Sequence, residues 1–390
     1  MNIAIFTNNY LPNPYGVSTS VEGFRQALTS MGHTVYIFAP EWGDATGKKE
    51  KNIFRYPAIK VPTKIDFSLV IPYSSEIDVI IEELDIDIIH AQHPNLLGSV
   101  AREWASKKDV PLVFTWHSLY DRYAHYTPFV PEKLSGYWAM SNAAGFAEKS
   151  DHIIVPTDSI IIVIKDAGVK HERISIVPSG VDEGLFASAN GEQIRKNYHV
   201  NDDMIVLATV SRLTEEKNVL FLASVVAKVL KKNDKVVFLC GGEGDLREEM
   251  QNIFEETGVS KRVIFTGKID RAEVKNYLVA GDIFVYASTS ETQGTIVTEN
   301  MYVGKPTVAV GENGVSNLIE DGINGIAVLE KEDEFVNSVQ KLIDNKSLRE
   351  EMGKNAYDIA REKYTTSACA VQLENVYKNV IKYYEMNKNE

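Results

Sequence analysis

The chain has 390 residues, of which 44% are hydrophobic, and a formal net charge of −13. This length favours two domains with separate cores, and the negative charge argues against nucleic acid as a partner. The two cysteines, Cys240 and Cys369, lack metal-ligand spacing, which argues against a zinc cluster or a disulfide scaffold and favours a reducing, cytoplasmic environment. Since no basic leader and no apolar run of ~18 residues is found, we expect neither a signal peptide nor a membrane span.

The first half of the chain predicts a series of strands and helices in alternation. A buried strand at 2–7 is followed by a loop rich in Pro, Asn and Gly at 8–16, a helical pattern at 17–28 and a second strand at 34–39. Further short apolar strands are predicted at 86–91, 111–115, 152–156 and 174–177. Strand, helix and strand in this order indicate a parallel sheet with right-handed crossovers.

The pattern starts again after the segment VPSGVDEGLF at 177–186. Strands are predicted at 205–210, 236–240, 263–266, 283–287 and 307–310, with helices between them. The sequence therefore predicts an α/β protein with two doubly wound, Rossmann-like parallel-sheet domains divided near residue 180. We expect the domains to face each other across a cleft, with ligands at the carboxyl ends of the strands. The last helix, at 366–388, could pack on either domain.

The segment SETQGTIVTENMYVGKP, at 290–306, places Glu291 and Glu299 at the start of a predicted helix that follows a strand. The amide groups at that helix start belong to Gly294, Thr295 and Ile296. Unpaired N–H groups and the positive end of the helix dipole suit a phosphate. Two carboxylates beside a diphosphate can accept hydrogen bonds from hydroxyls on either side, as in a sugar nucleotide. The alternative is that Glu291 only begins the helix and Glu299 is solvated.

Two other loops also follow predicted strands. ATVSRLTEEKN, at 208–218, carries Arg212 and Lys217, and two cations there can clamp a diphosphate without a metal. The alternative is a surface network of these cations with Glu215 and Glu216. LCGGEGDL, at 239–246, contains Gly242 and would let a ligand approach the backbone closely, although glycine turns are common.

Five motifs occur together in a familiar order. They are the paired glutamates at 291 and 299, SRLTEEKN, GGEGDL, FTGKIDRAEV at 265–274 and DGINGIAV at 321–328. In this combination the chain resembles the retaining glycosyltransferases of family 4, which have the GT-B fold. The resemblance covers nearly the whole chain and is densest from 205 to 330. It implies a nucleotide-sugar donor, and it implies a last helix that returns to the first domain, giving domains of 1–180 plus 366–390 and of 181–365.

The resemblance also assigns roles to individual residues. Arg212 and Lys217 neutralise the donor diphosphate, Glu291 binds hydroxyls of the transferred sugar, and Glu299 binds the ribose. The backbone around Ile269 meets the base, Gly16 and Gly242 approach the donor, and His117 lies beside the anomeric carbon. His117 could instead be a neutral histidine bonded to backbone. With the two cations supplying the electrostatics, no metal and no cofactor are expected.

Two other groups could suggest a metal site. His90 and His93 follow a strand, but no third ligand is apparent, so we expect them to contact the acceptor or to support the site. Asp85 and Asp87 have the Asp-x-Asp spacing of metal-dependent glycosyltransferases. They precede a strand, at its amino end, so we expect a charge pair rather than a cation site.

The acceptor is indicated by two segments of the first half. TWHSLYDRYAHYTPFVP, at 115–131, resembles a stretch of glycosyltransferases that act on diacylglycerol, and RYPAIKVPTKIDFSLVIP, at 55–72, mixes apolar and basic residues. The residues expected on the acceptor side are His93, Trp116, Tyr120, Tyr123 and Tyr126. The alternative is an aromatic core segment. A lipid acceptor would place the first domain against the inner face of the membrane.

The sequence as a whole predicts a retaining hexosyltransferase that moves glucose from UDP-glucose to a lipid such as 1,2-diacylglycerol. Attack on the front face of the sugar, without a protein nucleophile, is the mechanism that the resemblance implies. A soluble acceptor or a polysaccharide intermediate is the alternative, and a non-catalytic sugar-nucleotide-binding protein is a further one. A nicotinamide-dependent dehydrogenase would need G-x-G-x-x-G after the first strand, and NNYLPNPYG does not supply it.

Overall fold

The computed structural model describes residues 1–13, 16–42, 51–61, 67–119 and 132–388. Its Cα positions form two compact units, Met1–Gly180 with Thr366–Glu390, and Val181–Thr365. Each unit is built on a parallel sheet with helices around it, which confirms the predicted α/β class. None of the helices in the described ranges combines the length and the apolar character needed to cross a bilayer.

The first unit contains a seven-stranded sheet and a small hairpin. Its strands are β1 (Asn2–Phe6), β2 (Thr34–Pro40), β3 (Ile53–Tyr56), β4 (Ala58–Val61), β5 (Phe67–Val70), β6 (Ile88–Ala91), β7 (Leu112–Thr115), β8 (His152–Val155) and β9 (Ile174–Ile176). The large sheet has the order β3-β2-β1-β6-β7-β8-β9 and is parallel throughout. Strands β4 and β5 pair antiparallel, with Ile59 opposite Leu69.

The helices of the first unit connect these strands. They are α1 (Gly16–Ser30), α2 (Ser75–Glu83), α3 (Leu97–Lys108), α4 (Glu132–Ala147) and α5 (Asp158–Asp166). The first helix begins at Gly16, one residue before the predicted helical pattern, and the hydroxyl of Thr19 donates to the carbonyl of Gly16, 3.0 Å away. The strands β1, β6 and β7 are buried on both faces, which explains their continuous apolar sequences.

The second unit has a six-stranded parallel sheet of order β12-β11-β10-β13-β14-β15. Its strands are β10 (Ile205–Val210), β11 (Val236–Gly241), β12 (Val263–Gly267), β13 (Ile283–Tyr286), β14 (Thr307–Val310) and β15 (Gly325–Val328). Its helices are α6 (Glu183–Phe186), α7 (Glu192–Asn197), α8 (Val219–Lys232), α9 (Arg247–Glu256), α10 (Val274–Ala280), α11 (Thr295–Tyr302), α12 (Asn313–Leu318), α13 (Glu332–Asp344) and α14 (Lys346–Lys363).

The order reverses beside β10, whose neighbours are β11 and β13. The loops that follow β10 and β13 therefore lie next to each other at the carboxyl edge of this sheet. This is the position at which doubly wound sheets bind ligands.

The last helix, α15 (Thr366–Lys388), packs on the first unit, against α1. Leu373, Tyr377 and Val380 of this helix are buried in one core cluster with Val21 and Leu28. Burying an aliphatic side chain of this size contributes ~1.5–3 kcal/mol. The helix is therefore a structural part of the first unit.

Strands β3, β4, β5 and β15 are absent from the sequence prediction. The first three lie in a stretch with proline and lysine among its apolar residues, and β15 begins at a glycine. Strand β15 is paired with β14 along four residues, because the sheet supplies a hydrogen-bonding partner that local sequence cannot reveal.

Candidate active site

A short loop leads from β13 to α11 in the second unit. Gly294 caps the helix with a φ of 87°, in the left-handed region that glycine adopts without strain. The amide of Val297 donates to the carbonyl of Gly294 at 2.8 Å, which begins the helical hydrogen bonding. The amides of Gly294, Thr295 and Ile296 precede that bond and belong to the helix end that has no intrahelical acceptors.

Glu291, in this loop, receives three hydrogen bonds on a single oxygen atom. Lys217 Nζ, Tyr286 Oη at 2.6 Å and Ser288 Oγ at 2.9 Å all donate to Oε1. Within the described ranges no side chain or backbone group donates to Oε2 of Glu291. One oxygen therefore fixes the side chain, and the second remains as an acceptor for a ligand.

The electrostatics keep Glu291 ionised. Burial alone would raise the pKa of its carboxyl, but the Lys217 ammonium and the hydroxyls of Tyr286 and Ser288 lower the pKa below its usual value. Burial and the neighbouring carboxylate also raise the pKa of Tyr286, so this phenol stays protonated and can donate. The carboxylate is thus charged, desolvated and held in one orientation.

The two predicted cations lie on the loop after β10. The carbonyl of Glu216 accepts from Ser290 Oγ at 2.9 Å, which attaches this loop to the one that carries Glu291. Lys217 pairs across to Glu291 and is 11% exposed, whereas Arg212 is 41% exposed and pairs with Glu216 at 2.9 Å. Both cations therefore lie on a loop that is attached to the loop leading into α11, and each is paired with a carboxylate.

Glu299, one turn inside α11, is nearly fully buried and is held by Arg271. The two terminal nitrogens of Arg271 donate to its two carboxylate oxygens, Nη1 to Oε2 at 2.8 Å and Nη2 to Oε1. This excludes the solvated position considered for Glu299. Burial alone would lower the pKa of Arg271, but the Glu299 carboxylate raises it. Arg271 lies within the motif FTGKIDRAEV, yet nothing in the sequence pattern distinguishes it.

Gly242 and Ile269 lie in the loops after β11 and β12. A Cβ at Gly242 would lie 1.8 Å from the carbonyl oxygen of Ser211, so the close backbone approach at this glycine is to the neighbouring loop. The expectation that Gly242 makes room for a ligand is therefore corrected: it makes room for the carbonyl of Ser211. The half-buried Ile269 packs against Gly241, where its Cδ1 would be 2.4 Å from an added Cβ.

His117 follows β7 in the first unit. Its Nε2 lies 2.6 Å from Gln92 Oε1 and donates to it, so this ring nitrogen carries a proton. Burial, with smaller contributions from His93 and His90, lowers the pKa of His117 to about 3. The imidazole is neutral at physiological pH. His93 accepts a hydrogen bond from the amide of Asn8 at 3.1 Å, and burial lowers its pKa to about 4.

His90 is a buried structural residue. Its Nδ1 lies 2.6 Å from the hydroxyl of Tyr377 on α15, and its Nε2 lies 2.6 Å from Thr115 Oγ1. His90 therefore holds Thr115, the last residue of β7, which lies two residues before His117. Both of its ring nitrogens are used in this way, so it does not contact a sugar acceptor. In the described part of the chain no three His, Cys, Asp or Glu side chains are grouped as metal ligands. Asp87 accepts from the amide of Asn2 at 2.6 Å, at the amino end of the sheet as expected.

Apart from His93, one residue predicted on the acceptor side, Trp116, lies in the described part of the chain. Trp116 is 0% exposed and packs edge to face on Phe114, with centroids 6.1 Å apart, so its side chain belongs to the core and the predicted acceptor contact is wrong. Tyr120, Tyr123 and Tyr126 lie outside the described residues. Gly16 begins α1 and is exposed, with no atom within 4 Å of an added Cβ.

Two parallel-sheet units, with a helix start and paired charges at the switch point of the second sheet, have the architecture of the GT-B fold. Residues 14–185 match the family described as Glycosyltransferase Family 4, and residues 190–359 match Glycosyl transferases group 1. The chain belongs to the glycosyltransferases that combine these two domains.

Two relatives are similar along nearly the whole chain, and both are described as alpha-monoglucosyldiacylglycerol synthases. That of Streptococcus pneumoniae is 29% identical over 97% of this chain and 87% of its own. That of Acholeplasma laidlawii is 27% identical over 98% of each chain.

Solved structures of the same fold are more distant in sequence. HepE from Anabaena, crystallised with UDP and glucose, has a TM-score of 0.77 at 18% identity and covers 97% of this chain and 100% of its own. Sucrose-phosphate synthase from Thermosynechococcus elongatus has a TM-score of 0.79 at 18% identity, over 98% and 99% of the two chains. At this identity the likeness establishes the fold alone.

Proposed function

We propose that the protein is a retaining hexosyltransferase that moves glucose from UDP-glucose to a lipid acceptor such as 1,2-diacylglycerol. The observation that carries the proposal is the arrangement at Glu291. One carboxylate oxygen is fixed by Lys217 and two hydroxyls, and the other is left for a ligand, three residues before the glycine that caps α11. A sugar hydroxyl on Oε2 and a phosphate at the helix start fit that arrangement.

The donor diphosphate would be held by the start of α11 together with Lys217 and Arg212. Oriented N–H groups and cations stabilise the charge that develops on the leaving phosphate. Both cations are paired with carboxylates in the ligand-free chain. On donor binding, Lys217 and Arg212 would also pair with the diphosphate. They would thereby neutralise its charge, as a divalent cation does in other enzymes.

The remaining donor contacts follow the roles expected from the resemblance. Glu299 would accept hydrogen bonds from the ribose, and the backbone around Ile269 would meet the base. Gly16 would lie along the donor diphosphate. His117, neutral and with its Nε2 proton held by Gln92, would hydrogen-bond the transferred sugar.

The chemistry would use attack on the front face of the sugar. The bond from C1 to the diphosphate oxygen breaks as the acceptor oxygen bonds to C1 on the same face, and the acceptor proton passes to the leaving phosphate oxygen. The protein would contribute positioning and charge stabilisation through Lys217, Arg212 and the helix amides. No protein nucleophile and no metal are needed for this balance.

A lipid acceptor is supported by the two synthases named above and by an exposed surface of the first unit. We call Ile59, Leu69, Ile71 and Tyr73 the apolar hairpin face. Ile59 and Leu69 form a cross-strand pair, 57% and 41% exposed, and Tyr73 is 70% exposed. We propose that this face rests on the cytoplasmic surface of a membrane while the acceptor is bound.

Release of UDP from UDP-glucose, measured with diacylglycerol liposomes, with liposomes lacking diacylglycerol and with soluble sugars, tests the proposal. We expect release only with diacylglycerol, with an α-linked glucolipid as product. A β-linked product contradicts the retaining mechanism. Release with a soluble sugar and none with diacylglycerol contradicts the lipid acceptor.

A further inference from the structure

The pair formed by Arg271 and Glu299 is a two-point contact within the second unit. Two parallel hydrogen bonds join the guanidinium edge to the carboxylate. The Glu299 side chain is 7% exposed and that of Arg271 is 29% exposed. Bidentate pairs of this kind fix the plane of the carboxylate as well as its position.

The geometry leaves Glu299 with a defined set of free acceptor positions. A carboxylate offers about four lone-pair sites, and the guanidinium occupies one on each oxygen. One site on each oxygen therefore remains, and the two lie on opposite edges of a carboxylate whose plane is fixed. These two sites point away from each other, so two neighbouring ring hydroxyls cannot occupy both, and each site can accept from a single hydroxyl. A fixed acceptor suits one hydroxyl in a defined place better than a freely rotating side chain does.

The surroundings of Arg271 hold the guanidinium itself in place. Its Cζ lies 5.9 Å from the centre of the Phe186 ring, and Phe186 packs edge to face on Tyr302 of α11, 6.1 Å away. The arginine is therefore packed against the same helix that carries Glu299. A lysine at this position could supply the charge but not the two parallel bonds.

We propose that Arg271 is a positioning residue for donor recognition, which orients Glu299 so that it accepts a hydrogen bond from the 2′-hydroxyl of the donor ribose. The inference rests on the proposed role of Glu299 as the ribose-binding carboxylate. Arg271 acts through Glu299 and does not itself contact the donor. Its contribution is to donor affinity and to the distinction between ribose and deoxyribose.

Calorimetric titration of UDP and of 2′-deoxy-UDP tests the inference without requiring turnover. The variants are Arg271→Lys and Arg271→Gln. The matched control is Arg195→Gln, which removes another half-buried arginine of the same unit, paired with Asp282 at 2.6 Å near the amino end of β13. Thermal unfolding of every variant checks that the unit is folded.

We expect the wild type and the Arg195 variant to bind UDP about tenfold or more tightly than 2′-deoxy-UDP, as a hydrogen bond to a charged group provides. In both Arg271 variants the ratio of the dissociation constants for 2′-deoxy-UDP and UDP should fall to about two or less, because UDP affinity falls while 2′-deoxy-UDP affinity is retained. With UDP-glucose and diacylglycerol, the donor KM should rise by about tenfold with kcat within about twofold.

The other possible results separate the inference from the proposed function. A wild-type ratio in both folded Arg271 variants, or equal weakening of the two nucleotides, overturns the positioning role. A wild type that binds the two nucleotides equally overturns the contact of Glu299 with the 2′-hydroxyl, and the inference with it. A normal ratio that collapses in the Arg271 variants, without transfer to diacylglycerol, supports the inference and overturns only the proposed acceptor.

Discussion

Lys217 and Glu291 form an ion pair between side chains that are 74 positions apart in the sequence. The pair joins the loop after β10 to the loop after β13, the two strands that flank the switch point of the second sheet. It places a cation and a buried carboxylate beside the start of α11. The charge of the candidate donor site is therefore organised before any ligand arrives.

The first prediction concerns the two cations. We expect Lys217→Ala to lower kcat by about 100-fold or more, because one preorganised donor to a developing anion is commonly worth that much. Arg212→Ala should have a smaller effect, about tenfold, because this side chain is half exposed. Steady-state release of UDP measures both. The control is Lys228→Ala, which removes an exposed ion pair with Glu332 on the same unit. Wild-type rates in the Arg212, Lys217 double alanine variant contradict the assignment.

The second prediction concerns the glycine that caps α11. Gly294→Ala forces a Cβ into a residue with φ of 87° and places it 3.3 Å from Val315 Cγ2. A left-handed non-glycine residue costs ~1–2 kcal/mol, and relief of that strain would turn the helix-start amides. We expect donor KM to rise by about tenfold. Gly32→Ala is the matched control, with φ of 90° and no atom within 4 Å of the added Cβ. An equal rise in donor KM in both variants is the contradicting result.

The third prediction concerns acid stability of the first unit. Burial lowers the pKa of His90 and of His117 to about 3 and that of His93 to about 4, whereas an unfolded chain has ~6.5. Between those limits the unfolded state binds protons that the folded state excludes. Stability should therefore fall as the pH is lowered below ~6.5, by up to ~1.4 kcal/mol per pH unit for each histidine.

Urea unfolding midpoints at pH 7 and pH 5 measure this loss. We expect His90→Gln to lower the midpoint at pH 7 but to reduce the difference between the two pH values. His199→Asn, at an exposed left-handed position of the second unit, should keep the wild-type difference. The prediction is contradicted if the difference between the midpoints at pH 7 and pH 5 is the same in His90→Gln as in the wild type. His90 would then be protonated equally in the folded and unfolded states.

The fourth prediction concerns the apolar hairpin face. Replacing both Ile59 and Leu69 by Ser removes two exposed apolar side chains without disturbing a buried contact. We expect co-sedimentation with diacylglycerol-containing anionic liposomes to fall by about fivefold or more, with turnover of a water-dispersed short-chain diacylglycerol retained. The Ile323, Leu329 double serine variant, exposed to a similar extent on the second unit, is the control. Equal loss of liposome binding in the two variants contradicts a specific membrane-facing surface.

Much of the fold could be predicted because long apolar strands and glycine-ended helices are local signals. Strands β10 and β14 and the terminal helix occupy the predicted residues, and other predicted strands differ by a residue or two at their ends. The hairpin β4–β5 could not be recognised, because its pairing depends on register between two short segments.

The site was partly predictable. Lys217 and Glu291 were named from their places after two strands, and the sheet order brings them together. Arg271 was missed because an arginine in a helix-leading loop has no local signature, and its partner is 28 positions away. The sequence pattern of an aromatic residue after a strand is the same whether its side chain lies in the core or lines a groove, so Trp116 was assigned to the acceptor side. Only the burial of its indole separates the two.

The return of α15 to the first unit has a consequence for biosynthesis. Val21 and Leu28 share their core with Leu373 and Tyr377, which leave the ribosome after the entire second unit. Until α15 has been translated, the apolar surface formed by Val21 and Leu28 in the amino-terminal part of the chain stays uncovered. The second unit, whose residues are contiguous, can therefore finish folding before α15 completes the first unit.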